Sequence, residues 1–211
     1  MVDSIGFYVL YNCRMRVKNI VFDINGVLVN RPVLKNIYKL KAMPLYFYRL
    51  IKLFSSPQWD DYNRGKYSND EEVFRAMGFT DTKPLHDFMK KFYSMELEED
   101  RQLAEFIKRI RKTHRVYILT NQAVEEWKII KQCDIVKNTD GIMVSCEAGY
   151  TKPEKEIYQL LLDKFDLKPQ ETVFVDDRER NVEVAKELGF HGVRHRKSSE
   201  TIKEIEALLN R

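Results

Sequence analysis

Short, mostly apolar runs punctuate the chain at residues 17–22, 116–119, 142–144 and 173–175, each ending in polar or turn-forming residues. Runs of this length predict strands buried on both faces. Between them, apolar residues recur at helical spacing. Leu103, Phe106, Ile107 and Ile110 form one stripe, and Ile157, Leu160, Leu161 and Phe165 form a second. Val182, Ala185 and Leu188 form a third, with Gly189 as a helix stop. Strands alternating with helices predict an α/β fold: a Rossmann-like parallel sheet with helices on both faces. In such a sheet the functional site lies beyond the carboxyl ends of the strands.

Residues 32–95 break this rhythm, being rich in helix formers and aromatics with no strand pattern. They read as an inserted all-helical cap, with residues 15–31 and 96–211 forming the core domain and 1–14 an amino-terminal extension. Met15 is a candidate start, because Met-Arg-Val-Lys leads directly into the first strand. Ser68 followed by Glu71 reads as a capping box opening a helix over residues 73–77. Residues 31–59 carry Arg31, Lys35, Lys39, Lys41, Arg49 and Lys52 against no acid, interleaved with tyrosines, phenylalanines and Trp59. This pattern fits an amphipathic hairpin, a surface attracting an anionic substrate, or a partner surface.

Composition narrows the class. The chain has 211 residues, a net charge of +4 and 44% hydrophobic residues, which excludes wholesale disorder. No run approaches the roughly 20 apolar residues of a membrane span. The apolar stretch at 5–11 lacks the length and basic flank of a secretion signal. Cys13, Cys133 and Cys146 are odd in number and form no CxxC pair, which argues against a disulfide framework or a zinc site. A cytoplasmic location is the expectation, and no nucleic-acid partner is expected. The four histidines show no ligand spacing, and Glu147 reads as a surface acid.

Chemistry gathers at four strand ends or helix starts. Asp23 follows the first strand in Phe-Asp-Ile-Asn-Gly-Val, and Thr120-Asn121 closes the run at 116–119. Lys152 stands in Gly-Tyr-Thr-Lys-Pro, and Asp176-Asp177 close the run at 173–175, with Asn181 one helical turn later. A strand-end carboxylate can serve as a nucleophile or as a ligand for a hard cation such as Mg²⁺. A hydroxyl, a lysine and a metal around it would neutralise a phosphoryl group in transfer. The combination points to phosphoryl transfer through an aspartyl-phosphate.

These four motifs, in this order, resemble those of the haloacid dehalogenase superfamily over residues 17 to about 196, most closely its phosphatase branch with a small helical cap. The resemblance implies Asp23 as the nucleophile and a Mg²⁺ ligand, with the backbone carbonyl of Asn25 and the carboxylate of Asp177 as further ligands and Asp176 in support. It implies Thr120, Asn121 and Lys152 as the phosphate-binding set, Thr120 and Lys152 acting in catalysis as well. One position departs from the pattern. The family places an acid/base Asp two residues after the nucleophile, and this chain has Asn25. An amide exchanges no proton, and losing a general acid/base costs about 10²–10⁴-fold.

The expectation is therefore a Mg²⁺-dependent phosphatase of a small phosphorylated metabolite, of reduced efficiency for poor leaving groups. The alternative is a degenerate protein that binds phosphate or a phosphorylated ligand without turnover. A metal-independent 2-haloacid dehalogenase is disfavoured by the acidic Asp176-Asp177 pair.

Overall fold

The structure is a computed structural model that describes residues 16–30, 53–93 and 97–210. The extension 1–14, Met15 and most of the basic, aromatic stretch, residues 31–52, lie outside the described residues.

In chain order the strands are β1 (Asn19–Phe22), β2 (Val29–Asn30), β3 (Glu98–Glu99), β4 (Arg115–Thr120), β5 (Gly141–Val144), β6 (Thr172–Asp176) and β7 (His191–Arg194). Five of them form one parallel sheet in the order β5–β4–β1–β6–β7. Strand β1 is central: Ile20 pairs with Val116 on one side and Val173 on the other. The chain runs outward from β1 first to one side and then to the other, so a crevice opens at the carboxyl end of β1.

The sheet is covered on both faces, which is why its strands read as apolar runs rather than as alternations. Helices α1 (Pro57–Asn63), α2 (Asp70–Ala76) and α3 (Lys83–Tyr93) precede the core helices. The latter are α4 (Arg101–Ile110), α5 (Val124–Ile130), α6 (Asp134–Lys137), α7 (Ser145–Ala148), α8 (Lys155–Phe165), α9 (Glu179–Glu187) and α10 (Ser198–Leu209). Ile20, Phe22, Ile118 and Val175 pack with the whole apolar stripe of α4 and with Ile205 of α10. Val21, Leu119 and Phe174 point the other way, onto Ile157, Tyr158 and Leu161 of α8 and Ala185 of α9. The two-residue side-chain period of a strand sorts these residues between the faces.

The helical stripes hold with one correction. Leu160 is 37% exposed. The buried face of α8 is Ile157, Tyr158, Leu161 and Leu162, and at about 100° per residue Leu160 points away from it. Gly189 ends α9 in the left-handed region, at φ 95°, as expected of a helix stop. The small ribbon β2–β3 has no sequence signal, being two residues on each strand, and it ties residues 29–30 to 98–99 just outside the helical insert.

Helices α1 to α3 enclose a separate apolar cluster around Leu53, Tyr62, Val73, Phe74, Leu85 and Met89, which reaches the core through Ala123. The capping box of α2 lies one residue later than the sequence reading placed it. Asn69 is the cap and accepts from the Glu72 N–H, while Glu72 accepts from the backbone N–H of Ser68. Asn and Ser serve equally well as caps, so Glu72 decides the register. Gly65, at φ 77°, lies so close to the Cys146 carbonyl that a Cβ would stand 2.0 Å from that oxygen. The helical insert therefore presses backbone to backbone on α7.

Candidate active site

Asp23 leaves β1 with its backbone N–H still bonded to the Val175 carbonyl at 2.8 Å, so the sheet itself aims its side chain. Lys152 lies on the turn before α8 rather than on the helix, which opens at Lys155 behind Glu154. Its ammonium is buried and reaches three acceptors: Asp23 Oδ1 at 2.8 Å, Asp176 Oδ2 at 2.7 Å and the Leu119 carbonyl at 2.8 Å. The turn is held in place from two sides. Asn121 exchanges two 2.9 Å hydrogen bonds with the Lys152 backbone. Glu154 accepts from the backbone N–H and the hydroxyl of Thr151 and from Arg64, beyond α1.

Asp176 is fully buried with both oxygens engaged. Oδ1 accepts from the Arg178 N–H and Asn181, and Oδ2 from Lys152 and Asn181. Asp177 is half-buried, and no other side chain among the described residues donates to its carboxylate. Burial, opposed by Lys152 and reinforced by Asp176, pushes Asp23 up to about 6. Burial, and then Asp176, raise Asp177 above the usual carboxylate range. Burial alone would depress Lys152, but Asp23 and Asp176 more than reverse it and hold the ammonium above its ordinary value.

A cation fits this geometry. Oxygens of Asp23, Asp176 and Asp177 lie within 4.8 Å of one another, and the single ammonium leaves two negative charges uncompensated. The donors are hard oxygens, the set that Mg²⁺ prefers. Gly26 keeps the space open: at φ 78°, a Cβ there would come within 2.8 Å of Asp177 Oδ2. Because its hydrogen bonds already occupy Asp176, Asp23 and Asp177 are the carboxylates with oxygens to spare.

Thr120 ends β4 fully buried, and its oxygen accepts from Gln122 Nε2 at 3.1 Å. Asn25 donates from Nδ2 to Gln122 Oε1 at 3.3 Å. Gln122 is fully buried and has no sequence signal marking it, since a polar residue just past a strand is unremarkable. Asn181 belongs to the fourth motif, and the structure adds its clamp on Asp176. Among the other expectations, Glu147 is exposed and accepts from the Trp127 indole at 2.9 Å.

A cavity of about 220 Å³ is lined by Asp23, Asn25, Gly26, Asn121, Lys152 and Asp177, among others. It adjoins a cleft of about 860 Å³ between the core and helices α1 and α3, sharing Asn25, Asn121, Lys152 and Arg178 with it. Phe54, Trp59 and Phe92 supply an aromatic wall there, and Arg64, Arg178 and Arg180 supply cations. That volume is within the range of small-molecule sites.

A buried strand-end carboxylate, a buried lysine and an acidic pair stand beside a cleft on a Rossmann-like α/β fold. The haloacid dehalogenase-like hydrolase family matches residues 17–189, and the chain belongs to it. It is 29% identical to a D-ribitol-5-phosphate phosphatase of Bacteroides thetaiotaomicron, over 92% of this chain and 99% of that one. It is 25% identical to a sesquiterpene phosphatase of Aspergillus oryzae, over 91% of this chain and 96% of the other. A Bacteroides thetaiotaomicron enzyme of the family, solved in complex with magnesium and inorganic phosphate, superposes with a TM-score of 0.68 at 23% identity, covering 85% of this chain and 94% of that one. No helix among the described residues is long and apolar enough to cross a membrane.

Proposed function

We propose that this protein is a Mg²⁺-dependent phosphatase of small phosphorylated metabolites, with residues 32–95 acting as its cap. The observation that carries the reading is the buried Asp23–Lys152–Asp176 cluster with Asp177 beside it, opening onto a cleft of substrate size. Phosphatases that match this chain over nearly their whole length support it.

In this reading Asp23 attacks phosphorus, the ester P–O bond breaks, and an aspartyl-phosphate forms. The departing oxygen takes its proton from water, because Asn25 has none to give. Water then attacks the aspartyl-phosphate, releasing inorganic phosphate and restoring the Asp23 carboxylate. Lys152 neutralises charge on Asp23 and on the phosphoryl oxygens, and Thr120 and Asn121 complete the phosphate-binding set. Asp23, Asp177 and the backbone carbonyl of Asn25 would hold Mg²⁺, supported by Asp176, and the ion would supply further charge neutralisation at the phosphoryl group. The aromatic wall and the arginines of the cleft suit a leaving group with an apolar face and polar substituents. The cytoplasm is the location this reading assigns.

The test is Mg²⁺-dependent hydrolysis of an aryl phosphate, a substrate that needs little leaving-group protonation, by wild type and Asp23→Asn. Wild type should turn over and Asp23→Asn should not. Turnover surviving in Asp23→Asn overturns the nucleophile assignment. Phosphate binding without turnover on aryl or alkyl phosphates would move the protein to a non-catalytic phosphate-binding role, the reading that Asn25 favours.

A further inference from the structure

The residue at the acid/base position does not stand alone. Asn25 donates to Gln122 Oε1 at 3.3 Å, and Gln122 donates from Nε2 to Thr120 Oγ1 at 3.1 Å. The backbone of Gln122 is pinned as well, its N–H donating to Ser145 Oγ at 3.0 Å. Gln122, Thr120 and Ser145 are all fully buried, so water cannot substitute for these bonds.

The direction of this chain decides what Thr120 can do. Its oxygen accepts from Gln122, which leaves the hydroxyl hydrogen without an acceptor among the described residues. Thr120 has no solvent-accessible surface, and a buried donor without a partner favours any acceptor brought beside it, such as a phosphoryl oxygen. The reversed chain would have Gln122 donate to residue 25 and accept from Thr120, consuming that hydrogen. An amide at position 25 permits the observed direction. A carboxylate there permits only the reversed one, because two bare oxygens would otherwise face each other across 3.3 Å.

We propose that Gln122 is a positioning residue that keeps the Thr120 hydroxyl free to donate to the phosphoryl group, and that it thereby commits this site to an amide at position 25. The inference rests on the phosphatase reading above. It implies that Asn25 is matched to Gln122 rather than being an isolated loss of an acid. Restoring a carboxylate at position 25 alone therefore disarms Thr120 instead of repairing the site.

The experiment is calorimetric binding of inorganic phosphate in the presence of Mg²⁺, which needs no turnover. Asn25→Asp is compared in three backgrounds: wild type, Gln122→Met and Thr120→Val. A carboxylate at position 25 repels phosphate in all three, so the excess in the wild-type background is the quantity of interest. Asn25→Asp should weaken binding at least ~10-fold more in the wild-type background than in either of the others, the scale of one hydrogen bond to a charged group. Mere loosening by Gln122→Met would weaken binding equally with and without Asn25→Asp and leave no excess. If the Gln122→Met chain fails to melt cooperatively, the Thr120→Val background answers by itself. Equal weakening in every background overturns the proposal. A wild type that binds no phosphate in Mg²⁺ overturns the phosphatase reading, and this proposal with it.

Discussion

Asp23 and Asp70 are both buried, under opposite terms. Asp23, at the end of β1, shares a buried lysine with Asp176 and faces a cavity. Asp70, at the start of α2, is buried without a salt bridge among the described residues, beside a cavity it shares with His86 and Lys90. It accepts from two phenols, Tyr62 at 2.8 Å and Tyr93 at 2.9 Å, and the Tyr62 oxygen in turn accepts from the Glu125 N–H at the start of α5. In both places burial raises the acid above its usual range. The Asp70 network spends its hydrogen bonds on protein and ties helices α1, α2 and α3 to α5, so it is a joint. The Asp23 cluster carries excess negative charge and keeps oxygens in reserve, the capacity that the proposed Mg²⁺ would use. A buried acid is informative about function when its partners leave capacity unused.

Lys152→Met should break this comparison most severely. It leaves Asp23 and Asp176 buried without their counter-ion, a loss on the scale of about 3–5 kcal/mol in stability. Hydrolysis should fall by about 10²–10³-fold through lost charge stabilisation alone, read as turnover well below the melting temperature. A urea midpoint equal to that of wild type would mean that the cluster does not need its lysine.

Gly26→Ala probes the open side of the same cluster. A side chain at φ 78° and 2.8 Å from Asp177 Oδ2 has to move that carboxylate. The strain should cost about 1–2 kcal/mol. The sharper readout is the Mg²⁺ concentration for half-maximal activity, which should rise about 10-fold, the size of effect seen when the surroundings of a metal ligand are disturbed. An unchanged Mg²⁺ dependence would remove Asp177 from the ion's ligands.

Tyr93→Phe tests the joint. Removing one phenol from a buried carboxylate should cost about 1–3 kcal/mol of stability, while aryl-phosphate hydrolysis at low temperature stays within about 2-fold of wild type. A large loss of turnover in a stably folded Tyr93→Phe protein would show that the joint and the site are not separate.

The smallest effect is in pH. Burial raises Asp70, against the donors Tyr62 and Tyr93, with Glu125 raising it and His86 lowering it. A carboxyl whose folded value lies above its unfolded one binds a proton more readily in the folded state. Its stabilising contribution is therefore full below the unfolded value and lost as pH rises through the folded one. Wild type should gain stability relative to Asp70→Asn as pH falls from neutral toward the ordinary carboxylate range, seen as a shift in urea midpoints. A difference that stays flat, or that grows toward high pH, would mean that Asp70 is not held above its usual range.

The sheet and the carboxylate cluster were legible because both depend on local pattern. Apolar runs that end on Asp23, Thr120 and Asp176 mark strands covered on both faces, and strands of one parallel sheet deliver their last residues to one edge. What escaped was set by neighbours distant in sequence. The ribbon β2–β3 joins residues about 70 positions apart with two residues a side, too short for any period to register. Leu160 satisfied the helical spacing and still faces solvent, because the position of the sheet decides which side of α8 is covered. The cap of α2 moved by one residue because Asn69 and Ser68 are equivalent in propensity and only the closed loop to Glu72 separates them.

The α/β class and the charged residues at the strand ends were written in the sequence, since burial periodicity and charge are set residue by residue. Tertiary structure alone decided how those charges share hydrogen bonds. Lys152 lies 129 positions from Asp23 and 24 before Asp176, and only the parallel packing of β1 beside β6 brings one ammonium within reach of both carboxylates. The same packing turned Gln122 from an ordinary polar residue into the link between Asn25 and Thr120, because the direction of a hydrogen bond belongs to a pair of groups in space and not to either residue alone.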